Sequence, residues 1–440
     1  MIHQVALSPD IETKLTELVT LQLRLLFYAL EKGPHLEQAE CVGYLRPYYQ
    51  TRSEQIANWL FVTTSKSYEL LTGFAQNEEG KNYWSAEQEN LLRAEKRRLL
   101  RMMLIDTLRL SRINNSDQTK TLSFYISDDE GLPSTLVAAN AFWQSNRRLP
   151  AWLTSLRDYF IYFYEALGSG VNKQLFADGE KLDRQTFFKQ FTTANTHHFV
   201  CASCDESSFR TISGGHYHSD IEHYFPKSIY PHLACHPYNL IPICKHCNES
   251  IHRDVDPLQS SSRRTLGEIF LPYRAGTISR EAALKVEWPS NELYPTAVSL
   301  VPQALPGNLP QKIAALNDIY DIPGRWEGKI DEIGELLWRR IRDFLADDLV
   351  VTDVLDIETI EKKLNRLLAY MYRDDLGQAP LSFPSLWWLA TLIVNEVEGK
   401  TANTSPFLQD LQSWVNHDAA RQDKLARVAH QLRDVVRALP

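Results

Sequence analysis

Cysteine is scarce in this chain, with six in 440 residues. Long apolar runs are missing as well. The longest mostly apolar stretch, Leu386 to Val394, is too short to span a bilayer, so a membrane-spanning protein is not expected. The first residues, MIHQVALSPDIETK, lack the basic-then-apolar pattern of a signal peptide. With so few cysteines, this points to a reducing, cytoplasmic setting. There is no low-complexity run, no internal repeat and no heptad run of coiled-coil length. An excess of positive charge is also absent, since the formal net charge is −8. That argues against tight nonspecific binding of nucleic acid by the whole surface. The acidity lies mainly in residues 276–440, where 18 Lys and Arg face 24 Asp and Glu. A local basic surface elsewhere is therefore not excluded.

Four of the six cysteines fall into two CxxC pairs, Cys201/Cys204 and Cys244/Cys247, with 39 residues between the pairs. Each CxxC turn aims two sulfurs at one point, and two such turns suit a single tetrahedral zinc. Four scattered core cysteines would not fall into this spacing. A structural Zn²⁺ is therefore expected.

A zinc site does not account for what the pairs enclose. Asp220-Ile221-Glu222-His223 is followed by Tyr-Phe-Pro-Lys-Ser. His236-Pro-Tyr-Asn239-Leu-Ile-Pro-Ile then leads into Cys244, Asn248 follows Cys247 directly, and His252 lies four residues further on. Over about 55 residues this stretch resembles the HNH endonucleases, the ββα-metal family. The resemblance implies a strand over 215–223, a second over 240–243 and a helix over 245–253. It implies that His223 is a general base, a task suited to a neutral imidazole near pH 7.

The residue before that base is a metal ligand in the family, usually Asp or His. Here it is Glu222, with Asp220 on the same strand face able to share the role. Asn248 and His252 match ligands one helical turn apart, and Asn239 matches a brace that orients the base. A carboxylate, an amide oxygen and an imidazole suit Mg²⁺ first and Mn²⁺ as a substitute, while the imidazole also permits Ni²⁺ or Zn²⁺. Lys227, Lys245, Arg253, Arg263 and Arg264 are candidate phosphate contacts. His216 and His218 share the strand face of Asp220, where a solvated polar face is the plainer reading.

The flanks read as helical. Ser8-Pro9-Asp10 opens a helix that Gly33-Pro34 stops, with Leu15, Leu18, Val19, Leu25, Leu26 and Ala29 on one face, interrupted by Gln22. Ser85 and Gln88 form a capping box for a helix to about Ser111. That helix carries Arg93, Arg97 and Arg101 with Lys96 and Arg98 beside them, read as a solvated face rather than a phosphate track. A strand is expected over 121–127, and helices over 133–146, 150–167, 181–193, 311–319, 324–348, 356–374, 384–399 and 405–438. The stretch 257–310 holds seven of the chain's 21 prolines and reads as irregular.

The expected fold is thus mainly α. An N-terminal helical domain (1–195), the zinc-stapled HNH module (196–256), a Pro-rich connector (257–310) and a C-terminal helical domain (311–440) follow one another. The expected function is a metal-dependent endonuclease acting on DNA, with a protein partner and a role as effector of a bacterial anti-phage system as further expectations. The alternative is a catalytically silent zinc-containing nucleic-acid-binding or scaffold subunit of a larger complex.

Overall fold

The computed structural model describes residues 1–63, 65–76, 85–114, 136, 149–169, 173–206, 211–212, 216–217, 219–259, 263–274, 276–278, 282–287, 297–302, 307–349, 357–400 and 404–414. Helices dominate, and the strands among the described residues form three two-stranded antiparallel pairs. The chain packs as two compact units, Met1–Arg280 with Leu305–Tyr320, and Glu281–Ala304 with Asp321–Pro440. Segments 1–195 and 196–256 therefore share a unit, and 311–440 is divided after Tyr320. No helix among the described residues is long and apolar enough to cross a membrane.

The first unit is built around α1 (Pro9–Lys32), which starts with Pro in its first turn and stops at Gly33, whose φ is 79°. Gly supplies the positive φ without a Cβ penalty, and its N–H closes the helix on Ala29 O. The sequence suggests one apolar face. In the structure every residue from Leu18 to Leu30 is buried, because other helices pack around the whole circumference. They include α2 (Gln38–Tyr49), α3 (Arg52–Asn58), α4 (Ser65–Ala75) and α5 (Ala86–Ile113). Two of the polar residues caught inside meet neighbours there. Gln22 Nε2 reaches Cys235 Sγ at 4.0 Å, and the Arg24 guanidinium lies 3.4 Å from the centre of the Tyr48 ring.

Helix α5 opens with the expected capping box, Ser85 and Gln88 each bonding the other's main-chain N–H. Arg93, Arg97 and Arg101 are exposed, as a solvated face requires. Lys96 departs from that reading and is buried. The helix buries Leu92, Lys96, Leu99, Leu100 and Met103, and the 3.6-residue period places position 96 in that stripe. Its ammonium donates to Phe74 O at 2.6 Å and Gln76 O at 2.8 Å, capping the end of α4. Burial, with Arg93 as a lesser cause, lowers its pKa from 10.5 to about 8.

Helices α6 (Ala151–Ser169) and α7 (Arg184–Ala194) follow, the latter capped by Asp183, which accepts from Thr186 N–H at 2.8 Å. The expected elements at 121–127 and 133–146 lie outside the described residues. Next come the short pair β1 (Thr211–Ile212) and β2 (His216–Tyr217), then β3 (Ser219–His223). The strand expected over 215–223 is thus two strands, with β2 paired to β1. Strand β4 (Leu240–Cys244) pairs antiparallel with β3, Ser219 opposite Cys244 and His223 opposite Leu240. The helix expected over 245–253 is present at His246–His252 but is π-wound, with Arg253 N–H bonding back to Asn248 O at 3.2 Å. Arg253 ends it at φ 46°.

In the second unit, β5 (Ala282–Glu287) and β6 (Ala297–Pro302) form a full antiparallel ladder where irregular structure is expected. Prolines are frequent in that stretch, yet 282–287 alternates buried Ala282, Leu284 and Val286 with exposed Lys285 and Glu287, a period-2 strand signal. In the first unit, α8 (Leu309–Tyr320) packs on the π-helix. Back in the second unit, the helix expected over 324–348 is two, α9 (Ile322–Glu327) and α10 (Ile330–Leu349), interrupted at Gly328-Lys329. The unit continues with α11 (Ile357–Tyr370), α12 (Ser382–Leu392) and a helix over 406–414. Its core includes Trp326, Trp388, Phe383 and Phe407. The rest of the helix expected to 438 lies outside the described residues.

Candidate functional site

The four paired cysteines converge. Their Sγ atoms all lie within 4.8 Å of one another and all four residues are buried. Bonds of about 2.3 Å to one tetrahedral zinc would set sulfurs roughly 3.8 Å apart, and Cys204 Sγ lies 3.8 Å from Cys244 Sγ. Main-chain N–H groups point at the sulfurs, Cys244 N to Cys201 Sγ at 3.3 Å and Cys247 N to Cys244 Sγ at 3.4 Å. Hydrogen bonds from Cys201 first, then from the other cysteines, hold the Cys244 thiol far below its ordinary pKa. Contacts led by Cys201 push Cys204 and Cys247 up. Four buried sulfurs at tetrahedral spacing make a donor set suited to a thiophilic cation. The cluster fits structural Zn²⁺.

The β3–β4 pair runs from this cluster at one end to His223 at the other, since Cys244 stands opposite Ser219 and Leu240 opposite His223. At that second end a cavity of about 630 Å³ opens. Asp220, Glu222 and His223 of β3, Asn248 of the π-helix, Lys227 and Arg253 all line it. Tyr164 and Glu165 of α6, Arg184 and Phe187 of α7 and Leu182 just before α7 complete the lining.

His223 is 7% exposed. Its Nε2 meets Ala234 O at 3.1 Å, and as a carbonyl only accepts, Nε2 carries the proton and Nδ1 is the acceptor. Nδ1 makes no hydrogen bond among the described residues. Tyr164 sets its ring edge-on to the imidazole, 4.3 Å between centres. Burial, followed by the nearby Lys227 charge, lowers the His223 pKa from 6.5 to about 3, so the ring is neutral at pH 7.

Asn239 is wholly buried and outside the cavity. Its Oδ1 accepts from Phe225 N–H at 2.6 Å, and its Nδ2 donates to Phe225 O at 3.1 Å and Leu233 O at 2.9 Å. These bonds fix the 225–234 loop that presents Ala234 O to His223. Asn239 braces this loop and does not itself reach the cavity.

Glu222 Oε1 contacts His252 Nδ1 directly. Burial raises the Glu222 pKa, with His252 opposing. His252 is fully buried, stacked between Tyr224 and Tyr320 at ring-centre distances of 6.3 and 5.6 Å. Its Nε2 is buried with no hydrogen-bond partner among the described residues. The His252 nitrogen that faces Glu222 is thus Nδ1, with Nε2 on the far side of the ring, and Asn248 lines the cavity beside Glu222. Asp220 lies next to it but pairs with Arg184, Oδ1 to Nη2 at 2.5 Å.

No family model, no curated protein and no solved structure matches the chain. Geometry alone therefore decides which residues belong together. Of the expected phosphate contacts, Lys227 and Arg253 reach the cavity. Lys245 is exposed and pairs with Glu249 at 3.5 Å. Arg263 donates to Tyr230 Oη at 2.8 Å, and Arg264 binds Gln259 O at 2.8 Å and the Asp318 carboxylate; neither lines the cavity. The side chains of His216 and His218 lie outside the described residues. Arg184 and Tyr164 escape the sequence reading, because they come from helices far upstream and no spacing rule ties them to β3.

Proposed function

We propose that the protein is a divalent-cation-dependent endonuclease of the HNH type, hydrolysing phosphodiester bonds in DNA. The observation that carries this reading is His223 itself. It is a neutral imidazole in a cavity wall, with Nε2–H committed to Ala234 O and Nδ1 left as the acceptor, beside a carboxylate–amide–imidazole donor set. Glu222, Asn248 and His252 would hold the cation, with Asp220 adjacent. Bound there, it supplies charge neutralisation of the phosphate and of the leaving oxygen.

The residues do the rest. His223 Nδ1 takes the proton of the attacking water as its oxygen adds to phosphorus. The Ala234 carbonyl steadies the imidazolium that forms. Lys227 and Arg253 hold the phosphate oxygens. Water attack with departure of the 3′ oxygen leaves 5′-phosphate and 3′-hydroxyl ends.

The charge balance of the cavity supports a cation requirement. Glu165, Asp183, Asp220, Glu222, Glu249 and Asp254 outnumber Arg184, Lys227 and Arg253, so a polyanion would be repelled without one. The test is incubation of supercoiled plasmid with purified protein in Mg²⁺, Mn²⁺ or EDTA. Nicking or linearisation with either metal, abolished by EDTA and by His223→Ala, is the expected result. Zinc-loaded protein that leaves DNA intact in both metals would favour the silent scaffold instead.

A further inference from the structure

The carbonyl that fixes the proton on His223 belongs to a tight turn, and that turn is held from behind. His236 N–H closes it on Leu233 O at 3.0 Å, with Ala234 between them. The His236 ring reaches out of the module to α5, its Nε2 lying 3.2 Å from Thr107 O and 3.1 Å from Ser111 Oγ. Its Nδ1 accepts from Tyr238 N–H at 3.3 Å. With Nδ1 an acceptor, Nε2 carries the proton and donates to the Thr107 carbonyl, which can only accept. Burial lowers the His236 pKa from 6.5 to about 3, so one neutral tautomer makes all these bonds. On the other side of Ala234, His232 Nε2 lies 3.2 Å from Asp106 Oδ2, also of α5, with both side chains wholly buried. That pair is out of line for a hydrogen bond, so His236 is the firmer tie. Ser111 stands 125 residues before His236 in the chain.

We infer that His236, with Thr107 and Ser111 of α5, positions the His223 base. The helix holds the turn, the turn holds Ala234 O, and Ala234 O keeps the proton on Nε2 and leaves Nδ1 as the acceptor. A neutral imidazole can carry its proton on either nitrogen, and the hydrogen bond made by one decides the state of the other. A loosened carbonyl therefore costs the base both its angle and its tautomer. This rests on the nuclease reading above and deepens it, since the motif residues complete the base only with an anchor from an upstream helix. Neither His236 nor Ser111 lines the cavity, so substrate binding is left aside.

The experiment compares the full, zinc-loaded chain with His236→Phe, which keeps a ring but cannot donate, and His236→Gln, whose amide N–H can still reach Thr107 O. Cleavage of labelled DNA in Mn²⁺ gives kcat and KM. Nitrogen NMR of histidine-labelled protein in Mg²⁺ reads which nitrogen of His223 is protonated, its signals identified by their absence from His223→Ala. His236→Phe should lower kcat about ten- to a hundredfold, the order of a displaced catalytic group, with KM unchanged. The His223 signals should move from a single Nε2–H tautomer towards a mixture. His236→Gln should recover most of the kcat. Ser111→Ala removes one hydroxyl and leaves the Thr107 carbonyl, so it should shift both readouts in the same direction by less, and it carries the test where His236→Phe does not fold.

Unmoved His223 signals in a folded variant would mean that the contact serves stability alone. With wild-type cleavage intact, that result overturns the inference and leaves the nuclease reading standing. Moved signals with an unchanged kcat would overturn it too. Moved signals in a protein whose wild type cuts no DNA would uphold the tie between α5 and His223 and sink the nuclease. Unmoved signals with no cleavage would sink both.

Discussion

His223 and His252 are both buried imidazoles at one site, yet their surroundings give them different work. His223 has one nitrogen tied to a carbonyl and the other available, while His252 faces a carboxylate and carries an orphaned nitrogen. Their variants should therefore fail differently. His223→Ala should keep its zinc and bind DNA, while cleavage falls by about 10²–10⁴ at every Mn²⁺ concentration, because the attacking water loses its proton acceptor. His252→Ala should be partly rescued as Mn²⁺ rises, since it weakens the hold on the cation rather than the base. Cleavage of labelled DNA across a Mn²⁺ titration separates the two, and identical titration curves would contradict the assignment.

Asn239→Ala tests the brace. It strips three hydrogen bonds from buried main chain, so urea unfolding should show a loss on the order of 1–3 kcal/mol, with slower cleavage alongside. Asn239→Asp, which keeps an acceptor for Phe225 N–H but no donor for Leu233 O, should recover only part of it. His223, Glu222 and Asn248 were legible in the sequence because their order around two CxxC pairs is local. Arg184 and Tyr164 were not, since only tertiary packing brings α6 and α7 against β3.

At the scale of elements, α5 shows how a helical stripe overrides residue type. Lys96 occupies a core position and its pKa falls from 10.5 to about 8. The folded state thus binds this proton less tightly than the unfolded chain. Between about pH 8 and 10.5 the unfolded chain keeps a proton that the fold has released, so stability from this site rises with pH across that window. A neutral amine still has hydrogens for both carbonyls of α4. Relative to Lys96→Met, the wild type should gain stability as pH goes from 8 to 10, read from denaturant midpoints at each pH. A flat difference would mean Lys96 is not buried as described.

The same overriding explains what the sequence hid elsewhere. In α1, the sequence showed one apolar face interrupted by Gln22, and packing on all sides encloses both Gln22 and Arg24, against Cys235 and Tyr48. In the second unit a two-stranded ladder stood behind a proline count. The capping box of α5 and the Gly33 stop of α1 were legible, because both are set by backbone groups within a turn of the residue concerned.

For the whole molecule, the two compact units differ in what holds them. The unit of Met1–Arg280 with Leu305–Tyr320 contains the four-cysteine cluster, whereas the other holds together through packed helices around Trp326 and Trp388. Metal loss should therefore act on one unit. Scanning calorimetry with a strong chelator should lower the melting of the zinc-bearing unit by many degrees and leave a second transition in place. Cys247→Ser should do the same without chelator and hold about one zinc less per chain by elemental analysis. A single transition that moves as a block would show the units melting together.

Helix α8 returns to the first unit only after the chain has built β5 and β6 of the second, and Tyr320 at its end supplies one face of the stack on His252. During synthesis the last zinc-binding cysteine precedes Tyr320 by about 70 residues, roughly 4–15 s at ribosomal rates of 5–20 residues per second. A nascent chain thus completes its four-cysteine cluster well before the ring that closes over His252 leaves the ribosome. The surroundings of His252, the proposed cation ligand, are finished late in translation, and a chain cut short before residue 320 carries the motif in its sequence while lacking that stacked ring.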